Sequence, residues 1–181
     1  MIKFNVASIN RCTETEGPHK RLCIWFQGCD IHCNECCNPD YQPFIARHIM
    51  SIDEIISVIK KSIDDFSIEG VTYSGGEPTC QKNLPLLTDE IKKLGLGIIS
   101  FTGRKYEEVS DVLAGVDLVI AGAYVSVEKE TKRRLLGSEN QRILCLTDRY
   151  KNDMSWFDID KNGKSVEVNM SDKIVINGDK I

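Results

Sequence analysis

Apolar residues recur along this chain at two different spacings, and the two spacings alternate. Short apolar runs predict strands at residues 2–9, 22–27, 70–74, 97–101, 116–121 and 142–146. Apolar positions three and four residues apart predict helices at residues 51–66, 83–94 and 104–114. The charged stretch 127–135 is also expected to be helical. Strands and helices therefore alternate through most of the chain.

Alternation of this kind is typical of βαβ units, whose right-handed crossovers give a parallel sheet. The units are too few to close an eight-stranded barrel, so we expect an α/β fold built as a partial, open (β/α) barrel. From about Asp148 the pattern changes, and short runs at residues 165–170 and 173–177 predict a terminal β-hairpin. We therefore expect a core at residues 1–147 and a C-terminal extension at residues 148–181.

The composition is that of a soluble globular protein, since 41% of the 181 residues are hydrophobic and 28% are charged. The formal net charge of −4 argues against nucleic acid as a partner, because phosphate binding needs a basic surface. The start of the chain lacks the apolar core of a signal peptide, and no apolar run is long enough to cross a membrane. With eight cysteines and no export signal, we expect a cytoplasmic protein whose thiols bind metal.

Three of the cysteines lie close together after the second predicted strand. Cys29, Cys33 and Cys36 are spaced four and then three residues apart, within a loop at residues 28–40 that we call the cysteine loop. Thiolates are the ligands of iron–sulfur clusters, and three of them at this spacing can hold three corners of a [4Fe–4S] cube. The fourth iron would then be open to a small molecule.

Other uses of the same loop are open at this point. Zinc accepts sulfur and nitrogen ligands in a tetrahedron, so the three cysteines could bind it together with Cys37 or His32. A disulfide framework is not expected in a chain without a secretion signal. Four further cysteines stand alone and are interpreted as core or surface residues: Cys12, Cys23, Cys80 and Cys145.

A second motif, Gly75-Gly76-Glu77-Pro78, follows the third predicted strand. Adjacent glycines let the backbone come close to a ligand, because no Cβ intervenes. Ligands of α/β sheets bind at the carboxyl ends of the strands. We therefore expect this motif and the cysteine loop to lie on the same rim of the fold.

Together, the cysteine spacing and the Gly-Gly-Glu-Pro motif resemble the radical S-adenosylmethionine (SAM) superfamily. In that superfamily the open iron is chelated by the amino and carboxylate groups of SAM. Within it, the chain is most similar to the small activating enzymes of anaerobic ribonucleotide reductases, which are of the glycyl-radical activating type. The matching stretches follow the order of that family and lie at residues 16–21, 24–29, 37–39, 70–78, 101–103 and 137–142.

The resemblance implies a [4Fe–4S] cluster and SAM as cofactors, with Cys29, Cys33 and Cys36 as the cluster ligands. The segment Gly75-Gly76-Glu77 would meet the amino group of SAM. Two further candidates for SAM contacts are Thr102, at the next strand end, and Asn140, before the last core strand. No catalytic residue is expected beyond the cluster.

The resemblance also implies a reaction and its partners. A reduced cluster would cleave SAM to a 5′-deoxyadenosyl radical, which would abstract hydrogen from a glycine of an anaerobic ribonucleotide reductase-like enzyme. A flavodoxin- or ferredoxin-type protein would supply the electron. Two other functions stay open: radical SAM modification of a peptide or small molecule, and a non-enzymatic Fe–S electron-transfer module.

The chain departs from the family pattern at the rim where a substrate would lie. Many members carry an aromatic residue near the adenine, where this chain has Glu35, so a contact there would come from the backbone. Related activating enzymes often read Asp-Gly-Pro where this chain has Ala121-Gly122-Ala123. These changes leave the cluster motif intact, but they leave the identity of the partner open.

Overall fold

The protein is built around one mixed β-sheet, seen in a computed structural model that describes residues 2–163, 165–170 and 174–178. Its strands are β1 (Lys3–Thr13), β2 (Arg21–Phe26), β3 (His48–Ser51), β4 (Gly70–Gly75), β5 (Gly97–Thr102), β6 (Leu118–Ala121) and β7 (Arg142–Cys145). Their order across the sheet is β3-β1-β2-β4-β5-β6-β7.

The helices are α1 (Ile52–Phe66), α2 (Leu84–Lys93), α3 (Tyr106–Val109) and α4 (Ile159–Asn162). Short 3₁₀ helices lie at Pro39–Tyr41, Pro78–Cys80 and Lys151–Phe157. A search of the described residues finds no helix with the length and apolar character needed to cross a membrane.

The four middle strands, β2, β4, β5 and β6, are parallel, and the sheet is open at both edges. The predicted α/β fold with a partial, open (β/α) barrel is thereby confirmed. The expectation of a parallel sheet is wrong at the edges. β7 returns antiparallel to β6, because residues 122–141 turn back on themselves without a crossover helix. β1 pairs antiparallel with both β2 and β3. β3 is a short strand that the sequence pattern did not predict.

Both faces of the sheet are covered, which explains the continuous apolar runs in the middle strands. One core cluster contains Ile98 of β5 and Val119 of β6, together with residues of α1 and α2. The neighbouring side chains Ile99 and Leu118 point to the opposite face, where they join a second cluster with Tyr150 and Phe157. Residues beyond 147 thus contribute to the core, and the proposed division at residue 147 stays a prediction.

The start of α1 follows from a local hydrogen-bond pattern in the sequence. The Ser51 hydroxyl accepts from the Glu54 backbone N–H at 3.3 Å, and the Glu54 carboxylate accepts from the Ser51 N–H at 2.7 Å. Ile55 and Ile59 on its apolar side are fully buried. Phe66, the last residue of the helix, is 39% exposed and lies beside the Arg11 guanidinium.

Two predicted helices differ from the structure. The helix expected at residues 104–114 is limited to α3, after which turns keep Leu113 buried. The stretch 127–135 is not helical. There the Glu130 carboxylate accepts the backbone N–H groups of Thr131, Lys132 and Arg133, which removes them as helix donors. Bridges from Lys129 to Ser138 and from Arg133 to Asp158 use further backbone groups.

The C-terminal hairpin is present as β8 (Val166–Met170) paired antiparallel with β9 (Ile174–Gly178). The predicted start of its second strand, Lys173, lies outside the described residues. The hairpin forms its own two-stranded sheet, separate from the large one.

Candidate functional site

The cysteine loop begins at the carboxyl end of β2, the first of the four parallel strands across the sheet. Its entry is fixed by backbone hydrogen bonds from Gly28 N–H to Tyr41 O at 2.8 Å and from Cys29 N–H to Gln42 O at 2.9 Å. Cys29 is buried, whereas Cys33 and Cys36 are half-buried. All three carry free thiols, so one loop presents three sulfur donors at a strand end.

Local backbone turns separate the three cysteines. His32 and Glu35 adopt left-handed conformations, with φ of 51° and 56°, each directly before a cysteine. Both side chains are exposed. Glu35 therefore lies on the surface of the loop. Its left-handed backbone sets the direction in which the chain enters Cys36.

Two of the three thiols, those of Cys29 and Cys36, accept hydrogen bonds from backbone N–H groups. Backbone N–H groups of Ile31 and His32 donate to the Cys29 sulfur, and the Asn38 N–H lies 3.4 Å from the Cys36 sulfur. Such N–H···S bonds stabilise thiolate ligands and tune a cluster's potential. Burial raises the pKa of the Cys29 thiol, and these two N–H groups act in the opposite direction. The donor set thus fits a cluster.

The cysteine loop, whose residues 28–40 are all described, does not form a site for a single metal ion. Within the part of the chain that the structure describes, no three His, Cys, Asp or Glu side chains are grouped closely enough to hold one metal ion. In a [4Fe–4S] cube each thiolate binds a different iron. Ligands of one cluster therefore do not need to converge on a single point.

The Gly75-Gly76-Glu77 segment packs directly against the cysteine loop. The N–H groups of Gly76 and Glu77 donate to Phe26 O and Gly28 O, each at 2.9 Å. A Cβ on Gly76 would lie 2.4 Å from the Gly28 carbonyl oxygen. Only glycine permits this close approach. The expectation that the two motifs share a rim is correct: Gly76 approaches the backbone of the cysteine loop at Gly28, and Gly75 approaches the backbone of Phe26 at the end of β2.

Glu77 is turned inward and is 1% exposed. Its Oε1 accepts from the Thr79 hydroxyl at 2.6 Å and from the Thr102 hydroxyl at 2.9 Å, and its Oε2 accepts from the Gly103 N–H at 2.9 Å. The carboxylate therefore connects the loop after β4 to the loop after β5. Thr102, which is also buried, contributes to this connection as the last residue of β5.

A cleft of about 640 Å³ opens at the carboxyl ends of the strands. Its wall includes Asp30 and Ile31 from the cysteine loop, Gly103 and Arg104 after β5, and the segment Ala121-Gly122-Ala123 after β6. On the far side lies Asn140, whose side-chain N–H donates to Ala123 O at 2.8 Å. Asn140 therefore lines the cleft, as expected for a residue that would contact SAM.

The segment before β7 supports that far wall. Gln141 accepts the Gly137 N–H at 2.7 Å and donates to Gly122 O at 2.9 Å. Arg133 donates to the carbonyl groups of Gln141 and Glu139. Residues 137–142 thus hold the short loop after β6 in place.

Sequence reasoning missed three residues at this site. Asp30, directly after Cys29, forms an ion pair with Arg104. The Cys80 thiol lies 3.4 Å from the same Asp30 carboxylate. Burial, aided by Asp30, raises the pKa of Cys80 to about 11, so this thiol is protonated at neutral pH. In the sequence, these three residues are distinguished only by their position. Each of them follows a strand end or a site motif by one to a few residues.

The fold and the site define an α/β protein with a three-cysteine loop beside a strand-end cleft. Comparison of the sequence with known families gives the same answer. The profile of the family described as "4Fe-4S single cluster domain" matches residues 15–144. The chain belongs to this family.

Two similar proteins bear the name pyruvate formate-lyase-activating enzyme. The chain is 29% identical over 124 residues to the pyruvate formate-lyase-activating enzyme of Clostridium pasteurianum, covering 66% of this chain and 52% of the relative. It is 28% identical over 156 residues to the enzyme of that name from Staphylococcus aureus strain USA300, covering 80% and 62%. The chain therefore spans about half to three-fifths of the length of these relatives.

One solved structure is similar to part of this chain. The crystal structure of QueE from Escherichia coli aligns with a TM-score of 0.49 and 19% identity, over 57% of this chain and 54% of that one.

The family assignment confirms the predicted [4Fe–4S] cluster, and the radical SAM relationship gives SAM as the second cofactor. The assignment of individual residues as cluster ligands or SAM contacts stays a prediction.

Proposed function

We propose that this chain is a radical SAM activating enzyme that generates a glycyl radical on a partner protein. The relatives named as pyruvate formate-lyase-activating enzymes support glycyl-radical activation as the reaction type. The matching stretches at residues 16–21 and 137–142 favour an anaerobic ribonucleotide reductase-like enzyme as the partner. A flavodoxin- or ferredoxin-type protein is our proposal for the electron donor.

The cysteine loop supplies the cluster ligands in this proposal. Cys29, Cys33 and Cys36 would each hold one iron of a [4Fe–4S] cluster and leave one iron open to SAM. When bound and reduced, the cluster would supply one electron for the cleavage of SAM to methionine and a 5′-deoxyadenosyl radical. That radical would take a hydrogen atom from the Cα of the partner's glycine, giving 5′-deoxyadenosine and a glycyl radical. The protein contributes position and exclusion of water.

The remaining site residues position SAM. The 75–77 segment faces its methionine portion, and Thr102 fixes that segment through the Glu77 carboxylate. The backbone at Glu35 lies on the loop beside Cys36 and would meet the adenine. Asn140 lines the opposite wall of the cleft.

One observation carries the proposal. Asp30 and Ile31, the two residues after Cys29, form part of the wall of the cleft. A cluster on the cysteine loop therefore adjoins the cavity in which SAM and a substrate group would lie. A simple electron-transfer module would not need a cavity of about 640 Å³ beside its cluster.

The ligand assignment is tested by single cysteine substitutions. After anaerobic reconstitution, we expect Cys29→Ala, Cys33→Ala and Cys36→Ala to lose most bound iron and sulfide, because three ligands are needed to retain the cube. Cys37→Ala is the matched control, since Cys37 is adjacent to Cys36 in the same loop, and it should retain iron. Loss of iron in Cys37→Ala alone, or stoichiometric zinc in the wild-type protein, would contradict the assignment.

The reaction is tested on the reconstituted wild-type protein. We expect the EPR signal of the reduced cluster to change when SAM is added, and 5′-deoxyadenosine to be released. With a ribonucleotide reductase-like partner present, a glycyl-radical EPR signal should follow. Nucleoside release without that radical would favour a peptide or small-molecule substrate. A cluster whose EPR signal does not change with SAM would favour the non-enzymatic electron-transfer module.

A further inference from the structure

Arg104 makes contacts to three different loops at the site. Its guanidinium pairs with the Asp30 carboxylate on the cysteine loop. Its Nε lies 3.2 Å from the Thr79 hydroxyl after β4, and its backbone N–H lies 3.1 Å from the Thr102 hydroxyl at the end of β5. One residue therefore connects the carboxyl ends of β2, β4 and β5.

These contacts continue into the buried Glu77 centre. The Thr79 hydroxyl, which accepts from Arg104, itself donates to Glu77 Oε1 at 2.6 Å. Glu77 in turn accepts from Thr102 and Gly103. A continuous chain of hydrogen bonds thus runs from Asp30, adjacent to Cys29, to the strand ends of β4 and β5.

We propose that Arg104 is a positioning residue that fixes the cysteine loop, at its first cysteine, relative to the loops after β4 and β5. The part of this proposal that concerns the cluster rests on the function proposed above. Arg104 is suited to the task because its planar fork can bond two acceptors in fixed directions at once. A lysine would keep the charge but not both directions.

The exposure of the pair indicates that its effect is local. The side chains of Arg104 and Asp30 are 30% and 52% exposed. Ion pairs at such exposure add little to global stability. What the pair can change is the freedom of residues 29–36, which are otherwise attached to the sheet mainly at the two ends of the loop. The test must therefore read the loop itself.

The first measurement is hydrogen–deuterium exchange of the apo protein under reducing conditions. In Arg104→Ala we expect amides of residues 29–36 to exchange about fivefold faster than in the wild type, the factor for an exposed ion pair of about 1 kcal/mol. Arg104→Lys should be intermediate, and Asp30→Asn should resemble Arg104→Ala. Arg11→Ala is the matched control, because Arg11 forms an ion pair of similar exposure with Asp65 on another part of the surface.

Unchanged exchange of residues 29–36 in Arg104→Ala would overturn the proposal. The same acceleration in Arg11→Ala would overturn it too, because the effect would then be unspecific. This measurement needs no cluster. It therefore decides the role of Arg104 even if the wild-type protein takes up no iron, an outcome that would overturn the proposed function instead.

The second measurement uses the reconstituted protein. We expect Arg104→Ala to bind as much iron as the wild type, and to need about fivefold more SAM for the half-maximal EPR change. A residue that only stabilised the fold would lower iron content and SAM response together. If the wild type responds to SAM and Arg104→Ala responds at the same concentration, the positioning role is refuted.

Discussion

The two ends of the parallel strands each contain a buried polar centre, and the two centres are built differently. At the amino ends, Arg21 is fully buried and donates to the Thr72 hydroxyl at 2.8 Å and the Tyr150 hydroxyl at 2.9 Å. It also donates to backbone carbonyl groups of Pro18, Val71 and Gly97. The chain thus supplies five acceptors to a side chain that is fully buried.

At the carboxyl ends, Glu77 is buried to a similar degree, but its partners lie in the loops that form the rim of the cleft. The first centre closes the fold, whereas the second arranges loops around a cavity. Similar buried hydrogen-bond centres can therefore serve stability at one end of a sheet and ligand binding at the other. Substitutions at the two ends should separate these roles.

The largest effect is expected at the closed end. Arg21→Met would leave three backbone carbonyl groups without their donor, so the free energy of unfolding should fall by about 3–5 kcal/mol. Urea unfolding of the reduced apo protein, followed by circular dichroism, measures this loss. The control Arg11→Ala should lose at most about 1 kcal/mol. A loss below about 1 kcal/mol in Arg21→Met would show that the amino-end centre is not a stabilising one.

A smaller loss of stability, with a functional change, is expected at the open end. Glu77→Gln turns an amide N–H₂ group toward existing donors such as the Gly103 N–H, which should cost about 1–3 kcal/mol. The same substitution should weaken or abolish the SAM-dependent EPR change in the reconstituted protein. If stability falls but the SAM response stays at the wild-type concentration, the Glu77 centre is structural only, and the contrast between the two ends fails.

The finest comparison uses two buried threonines. Thr102→Val removes a hydroxyl bonded to Glu77, and Thr88→Val removes one that lies 3.2 Å from the Tyr73 hydroxyl inside the core. Each should lower the free energy of unfolding by about 1 kcal/mol. Only Thr102→Val should also raise the SAM concentration needed for the EPR change. An equal shift in both variants would mean that SAM binding follows stability in general.

Much of the fold could be predicted because its signals are local. The capping box at Ser51, the apolar side of α2 and the buried runs of β4 and β5 depend on residues close together in sequence. The shared rim was also predictable, since the carboxyl ends of parallel strands meet on one side of a sheet.

The errors concern features that depend on distant residues. Glu130 terminates a helical pattern by accepting neighbouring N–H groups, while the chain around it pairs with Ser138 and Asp158. The Asp30–Arg104 pair joins residues 74 positions apart. Asp30 is one of the unspecified positions between Cys29 and Cys33, and Arg104 lies outside the motifs. Glu77 could be placed at the site from its motif, but its inward orientation depends on Thr79 and Thr102 and could not be foreseen.

The hydrogen bond between Arg21 and Tyr150 spans 129 positions in the sequence, and this separation bears on how the protein folds during synthesis. The ribosome delivers β2 and its arginine first, and the tyrosine that completes the arginine's surroundings emerges much later. Until then, the guanidinium group retains its water, and the second face of β5 and β6 lacks Tyr150 and Phe157. The nascent chain therefore completes its core only after residue 157 has left the exit tunnel, when the residues of the cysteine loop have long been outside the ribosome.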